Sequence, residues 1–594
     1  MHDSNAFDDA GFGWPLRPIL LAAIGALAAL AVQQLLDVST PTYLHPPADW
    51  RIALATAIGV GAGAFGFGLE RSRWHWTIAF ALPAAIVAGL VFYWNGGGWA
   101  VWGDWHTASL FLAIAIAVPL FQTARDHGAA RFPYPEVHGH AWTNVVLWCA
   151  CCLFVGVVFL LAWLLSALFE LIGLHFLRDL LQHAWFGALL FGAGFGAALG
   201  ILREGDGVVR LLQRVVTAVL AVLAPVLAVG LLVFLLALPF TGLHALWDAT
   251  KSTTPILLSC VIGALILANA VIGDGTDQEH RNPVLRFGAM TLALAMLPLA
   301  LLAAVATGLR IDQYGLTPDR LWAVVFVALA SAYGLVYLVA LVRGRFGWAA
   351  VVRPGNLRLA FIVAGVALLL ATPILSFNAL ATRDQVARLE AGRIAPEKFD
   401  WAALAFDFGD PGKAALKRLT KSTVPAIRIP ATKAAAVTNR WALASVDREQ
   451  TQADLLVKRL RVVPVAVSVP LALRTKLVGW SACGIDAKDR CILLYRPGAT
   501  EAVAVRQSCI DEKSRDPNED RKSALSVVTT NGCAAARFRA DGGDWKEAGD
   551  IALTLAPAER AALKAGAAAG AIEIRVVPAR RVFIGGVPVG DPFE

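Results

Sequence analysis

What most constrains this chain is a series of apolar runs, each about one membrane thickness long and separated by short polar breaks. They cover 18–36, 52–69, 74–94, 108–124, 142–168, 184–202, 215–240, 255–272, 287–309, 321–342 and 359–377. A helix rises about 1.5 Å per residue, so about 20 apolar residues cross the hydrocarbon core. Backbone polar groups in lipid must bond within the protein, which leaves helices or a closed barrel. Barrel strands alternate over about ten residues, and these runs do not alternate. The sequence therefore predicts an α-helical polytopic bundle of about eleven transmembrane helices over 15–377, after a cytoplasmic tail at 1–14.

The charge is not spread evenly. Up to Phe377 there are 19 Lys+Arg and 19 Asp+Glu; from Asn378 onward there are 33 and 25, so the whole net charge of +8 lies beyond the apolar runs. A helical juxtamembrane segment is expected at 378–425, with two short helices around Gly409-Asp410-Pro411-Gly412. Past Pro464 the texture becomes short β-type runs such as "RCILLYRPG", "EAVAVRQSC" and "RRVFIGG", bounded by Gly, Pro and Asn. A small α+β extracytoplasmic domain is expected over 426–594.

Lys and Arg near span ends favour the cytoplasm. The loops after even-numbered runs hold 13 of them and the loops after odd-numbered runs hold five. This predicts a cytoplasmic N-terminus and, after an odd number of spans, a periplasmic C-terminal domain on a bacterial inner membrane. The opening "MHDSNAFDDAGFGW" is acidic, unlike a secretory leader, so the first span is expected to stay as an anchor. Four cysteines (Cys149, Cys151, Cys152, Cys260) fall in apolar runs and read as small buried residues. The other four, Cys483, Cys491, Cys509 and Cys533, fall in the polar domain and fit disulfides in an oxidising compartment. Of three connectivities, Cys483–Cys491 with Cys509–Cys533 closes the shortest loops and is preferred.

Chemistry-bearing patterns are sparse. All 11 His precede Arg281, which removes His-dependent nucleophilic and zinc chemistry from the C-terminal domain. No phosphate-cradling Gly loop followed by Lys-Ser/Thr is present. His175, Asp179 and His183 are spaced i, i+4, i+8, within about 80° on one helix face. That row is the leading metal candidate, ahead of His138 and His140; an amphipathic helix wetting its polar face is the plainer reading. Ionisable residues deep in the runs are almost absent, with Gln33, Gln34, Asn144 and Asn269 near run ends. This weighs against an ion-coupled transporter. No catalytic residue, organic cofactor or nucleic-acid partner is indicated.

Between two apolar runs stands "RIDQYGLTPDRLWA". Tyr314-Gly315-Leu316 is read as a turn, Thr317 as an N-cap, Pro318 as the first helical residue, and Asp319 and Arg320 as first-turn charges. This stretch, "LLSALFELIGLHFL", "DQVARLEAG" and "FDWAALAFDFGDPGKAAL" resemble a bacterial family of polytopic membrane proteins, the domain-of-unknown-function family 4153, over about 140–420. The resemblance implies a membrane protein and carries over no activity and no catalytic residue. The functional expectation is a non-enzymatic envelope sensor, scaffold or assembly factor. Its basic domain would meet anionic lipid headgroups or envelope polymers. A transporter or lipid-handling protein is the alternative, and an intramembrane metalloenzyme the second.

Overall fold

The computed structural model describes residues 16–36, 47–95, 105–249, 253–440, most of 455–506 and 534–552, and a hairpin within 580–593. Ten stretches among these are long and apolar enough to cross a membrane. They begin with α1 (Leu16–Leu36), α2 (Asp49–Gly68), α3 (Trp74–Asn95), α4 (Trp105–His127) and α5 (Tyr134–Leu171). A seven-residue helix, α6 (Phe176–Gln182), precedes α7 (Ala184–Glu204), α8 (Asp206–Ala249), α9 (Thr253–Ile272) and α10 (Pro283–Tyr314). The tenth stretch, Pro318–Ala371, is 54 residues long. It folds back at Arg345, whose φ is 48°, and so comprises α11 (Pro318–Gly344) and α12 (Trp348–Ala371). The expected eleven spans are these ten stretches, the last of them a helix pair.

Packing in the bundle relies on small residues, as expected where lipid gives no hydrophobic push between helices. Around α10, Ala289, Ala293, Ala300 and Ala303 are fully buried with Leu292, Met296 and Leu299. Helices α1 and α7 meet backbone to backbone. A Cβ built on Gly25 would lie 2.2 Å from the Gly192 carbonyl oxygen, and one on Gly196 would lie 2.0 Å from that of Leu21.

Two compact units divide the chain, Met1–Ile394 and Ala395–Glu594. The first also holds α13 (Phe377–Glu390), capped at its start by Ser376 and followed by Gly392 at φ 70°. The second begins with a π-helical turn at Ala403–Asp407, then α14 (Gly409–Leu419) and α15 (Pro425–Ala436). The chain turns between its first two helical segments at Phe408 and Gly409, the latter at φ 59°, and Asp410-Pro411-Gly412 form the first turn of α14. Gly412 lets the segments close, since a Cβ there would sit 2.4 Å from the Leu404 carbonyl oxygen.

The sheet of this unit has the order β1 (Leu460–Val463), β2 (Cys491–Leu494), β3 (Glu501–Arg506), β4 (Ala534–Asp541) and β5 (Asp544–Ala552). Only β1 and β2 pair parallel. Strands β6 (Arg580–Ile584) and β7 (Val587–Phe593) form a separate hairpin. Helix α16 (Leu471–Leu477) supplies Leu473 and Leu477 to a core with Leu493, Phe538 and the Cys483–Cys491 disulfide. Strand β1 has no counterpart among the sequence-predicted strands: four residues show too little alternation, and its partner lies 31 positions on, Leu460 pairing with Cys491. Cys509 and Cys533, and with them the second expected bridge, lie outside the described residues.

Candidate functional site

Each helix C-terminus leaves up to four carbonyls without an intrahelical partner. In this bundle, side chains from other helices supply the donors. At the end of α2, Arg203 Nη1 donates to the Gly66 oxygen at 2.9 Å and Gln122 Nε2 to that of Phe67 at 2.8 Å. Thr77 and Arg125 both donate to the Gly68 oxygen. The guanidinium groups are held in turn by carboxylates. Arg17 lies 2.9 Å from Glu70 and 3.0 Å from Glu204, and Arg125 lies 2.6 Å from Asp126, which also meets His140 at 3.0 Å. A polar cavity of about 260 Å³ is enclosed by these groups with Thr143 and Asn144.

A second polar cluster repeats the device. Arg353 of α12 donates to the Ile272 oxygen at 2.6 Å, closing α9, and to that of Gly275 at 3.0 Å; Glu279 accepts from it at 3.2 Å. One turn along α12, Asn356 Nδ2 donates to Asn269 Oδ1 at 2.8 Å, and Asn269 Nδ2 donates to the Tyr337 hydroxyl at 2.8 Å. Tyr134 and His138 of α5 line the adjoining cavity of about 180 Å³. Burial lifts the Asp274 carboxyl, in the loop after α9, above its ordinary range, although backbone N–H groups and Arg353 pull the other way.

These clusters add what run boundaries alone do not show: arginines at the ends of the apolar runs are buried. Arg17, Arg125 and Arg353 are only 6%, 4% and 8% exposed. They are buried because each satisfies backbone oxygens that lipid cannot.

One helical turn deeper than the first cluster lies an apolar groove of about 490 Å³. It runs along α1 from Leu21 to Gln33, with Gly59 and Gly63 of α2, Trp148 of α5, and Phe191 and Phe195 of α7 among its walls. Twelve residues of helix make it about 18 Å long, close to half of a hydrocarbon core of about 30 Å. Leu21, Leu147 and Leu199, all nearly fully buried, pack between the groove and the arginines. At the far end, the side-chain oxygen of Gln33 is buried with no hydrogen-bond partner among the described residues. A Cβ added at Gly59 or Gly63 would meet nothing within 4 Å.

The residues singled out from sequence fare differently. His175, Asp179 and His183 fall on one short helix: His175 is the N-cap of α6, Asp179 lies within it and His183 is its C-cap, while Gly173, at φ 77°, ends the segment before it. His183 Nδ1 contacts the Asp179 carbonyl oxygen at 2.6 Å, and all three side chains are exposed. Among the described residues, no group of three or more His, Cys, Asp or Glu is placed to hold a metal ion. The Tyr314–Arg320 stretch is a clamped turn. Thr317 caps α11, accepting from the Arg320 N–H, and Gly315 takes φ 77°. Asp384 accepts from the Leu316 N–H at 2.7 Å, and Gln385 donates to the Tyr314 and Leu316 oxygens at 2.9 Å each. Arg388 donates to the Asp312 oxygen at 2.7 Å. Thus "YGLTPDR" and "DQVARLEAG", two separate sequence marks, are two halves of one contact.

A family model described as "Domain of unknown function (DUF4153)" matches residues 20–418. No curated protein and no solved structure matches the chain.

Proposed function

The chain belongs to the DUF4153 family, and for this multi-pass membrane protein we propose a lipid-handling role in which the groove between α1, α2 and α7 holds one acyl chain. The observation that carries the reading is the groove itself with Gln33 at its end. Its volume is in the range of ligand sites, its walls are apolar, and its length fits one leaflet. Among the described residues the buried Gln33 oxygen has no donor, and an occupant bringing a hydroxyl or amide N–H would meet it; a buried acceptor left unmet costs about 1–3 kcal/mol. A lipid whose polar end sits at Gln33 and whose chain ends against Leu21 meets both demands. A sensor, scaffold or assembly role is compatible with such a site, with lipid as the signal or the cargo.

The accompanying placement is an inner membrane, a cytoplasmic N-terminus and a periplasmic unit from Ala395. The loop arginine imbalance supports it. The Cys483–Cys491 disulfide supports it independently, since such bonds persist in oxidising compartments.

The test is lipid extraction and mass spectrometry on the full chain purified in mild detergent. About one tightly held lipid per chain is expected for the wild type. Gly59→Leu with Gly63→Leu should remove it without loss of fold, because both side chains enter open space. An empty wild type, or an unchanged stoichiometry in a folded double variant, overturns the reading.

A further inference from the structure

A different region points outward. Between Lys413 and Lys433 the chain carries six Lys or Arg and no Asp or Glu. This segment contains most of α14 and α15. Gly412, Leu416 and Leu419 are the buried face of α14, while Lys413 and Lys417 of that helix and Lys421 just past its end are exposed. In α15, Ile427, Ala431 and Ala434 face the interior of the unit. Arg428 is exposed there, as are two large apolar side chains, Val424 at 48% and Ile429 at 65%. The nearest acid before the segment, Asp410, sits 3.8 Å from Lys413 in an exposed, screened pair.

Basic and apolar side chains exposed side by side on short helices are the make-up of an interfacial element, with the apolar groups entering the headgroup layer and the cations meeting lipid phosphates. Clusters of Lys and Arg on an amphipathic helix are attracted to anionic lipid headgroups, on whichever side of the membrane those lipids lie. The segment also follows the last span in sequence, so the bilayer is at high effective concentration for it.

We propose that residues 413–433 form a docking surface for an anionic bilayer, with Lys413, Lys417, Lys421 and Arg428 on lipid phosphates and Val424 and Ile429 inserted between them. This does not depend on the groove: it concerns another unit and the lipid surface, and its failure leaves the acyl-chain reading untouched.

Hydrogen exchange by mass spectrometry tests it on the full chain in nanodiscs, of phosphatidylcholine alone or with phosphatidylglycerol. At low salt, amides of α14 and α15 should exchange at least about tenfold more slowly in the anionic discs, and 0.5 M salt should remove the difference. Lys413→Gln, Lys417→Gln and Lys421→Gln together should abolish the lipid dependence while strands β2 to β4 keep their protection, which controls for folding. Equal exchange in both lipids, or a slowing that survives high salt and the triple variant, refutes the proposal. The second outcome would instead indicate a protein or lipid contact not made by charge.

Discussion

Gly315 stands at φ 77°, and a Cβ there would come within 2.6 Å of Gln385 and 2.7 Å of Arg388 and Asp384. Both facts select glycine: an L side chain is strained in that conformation, and it would push the clamp off the turn. Gly315→Val should cost about 1–3 kcal/mol from backbone strain alone. The thermal midpoint in detergent, read from tryptophan fluorescence, should fall. Gln385→Ala, which removes two donated bonds, should fall less, by about 1–2 kcal/mol. An unchanged midpoint for Gly315→Val would mean that the clamp is not formed. The buried arginines allow a sharper contrast. Arg353→Met leaves the Ile272 and Gly275 oxygens without their donor in an apolar setting, a loss of about 3 kcal/mol or more. Arg178→Met removes only an exposed pair with Glu170, and the midpoint should barely move. Equal losses for the two would place Arg353 in water.

At the scale of the helix, glycines that look alike in sequence do opposite things. In α7, Gly192 and Gly196 touch the backbone of α1 at 2.1 and 2.0 Å from their would-be Cβ atoms, while Gly63 of α2 faces open groove. Gly192→Leu should therefore separate α1 from α7 and abolish recovery of folded protein, whereas Gly63→Leu should purify normally; size-exclusion profiles of the two decide it. The sequence shows where glycines fall but not which neighbour a helix face meets. The same limit explains the arginines. Hydropathy places Arg125, Arg203 and Arg353 at run ends, and at a run end an arginine either snorkels to water or caps another helix. Choosing between these needs the tertiary arrangement. Features governed by local chemistry were legible: the apolar spans, the Thr317 cap with Pro318 behind it, and the Cys483–Cys491 bridge. The His175–His183 row falls on the short helix α6 and its two caps, with all three side chains exposed.

For the whole molecule, sidedness decides what the two units can meet, and one bond reports it. Cys483 and Cys491 are 0% and 1% exposed and join within the core of the second unit. Removing this short bridge by Cys483→Ser with Cys491→Ser should cost that unit about 2–3 kcal/mol. Proteolysis should then cut the chain after Ala395 while the helical unit stays intact. The bond forms only if the unit folds in an oxidising compartment, so it ties stability to topology. With a cytoplasmic N-terminus and eleven crossings, alkaline phosphatase fused after Glu594 should be active in cells and green fluorescent protein fused there dark. The same reporters placed after Arg203 should give the reverse. The even-numbered loops carry the arginines, and those arginines close the ends of α2 and α9 on that same face. Charge asymmetry and helix capping thus come from the same residues, and reversing the topology would carry buried guanidinium groups across the membrane. A fluorescent C-terminal fusion with an inactive phosphatase would put the basic unit in the cytoplasm. It would also leave the Cys483–Cys491 bond without an oxidising partner, so bridge and fusion should agree in either outcome; a reduced pair beside an active phosphatase would break that link.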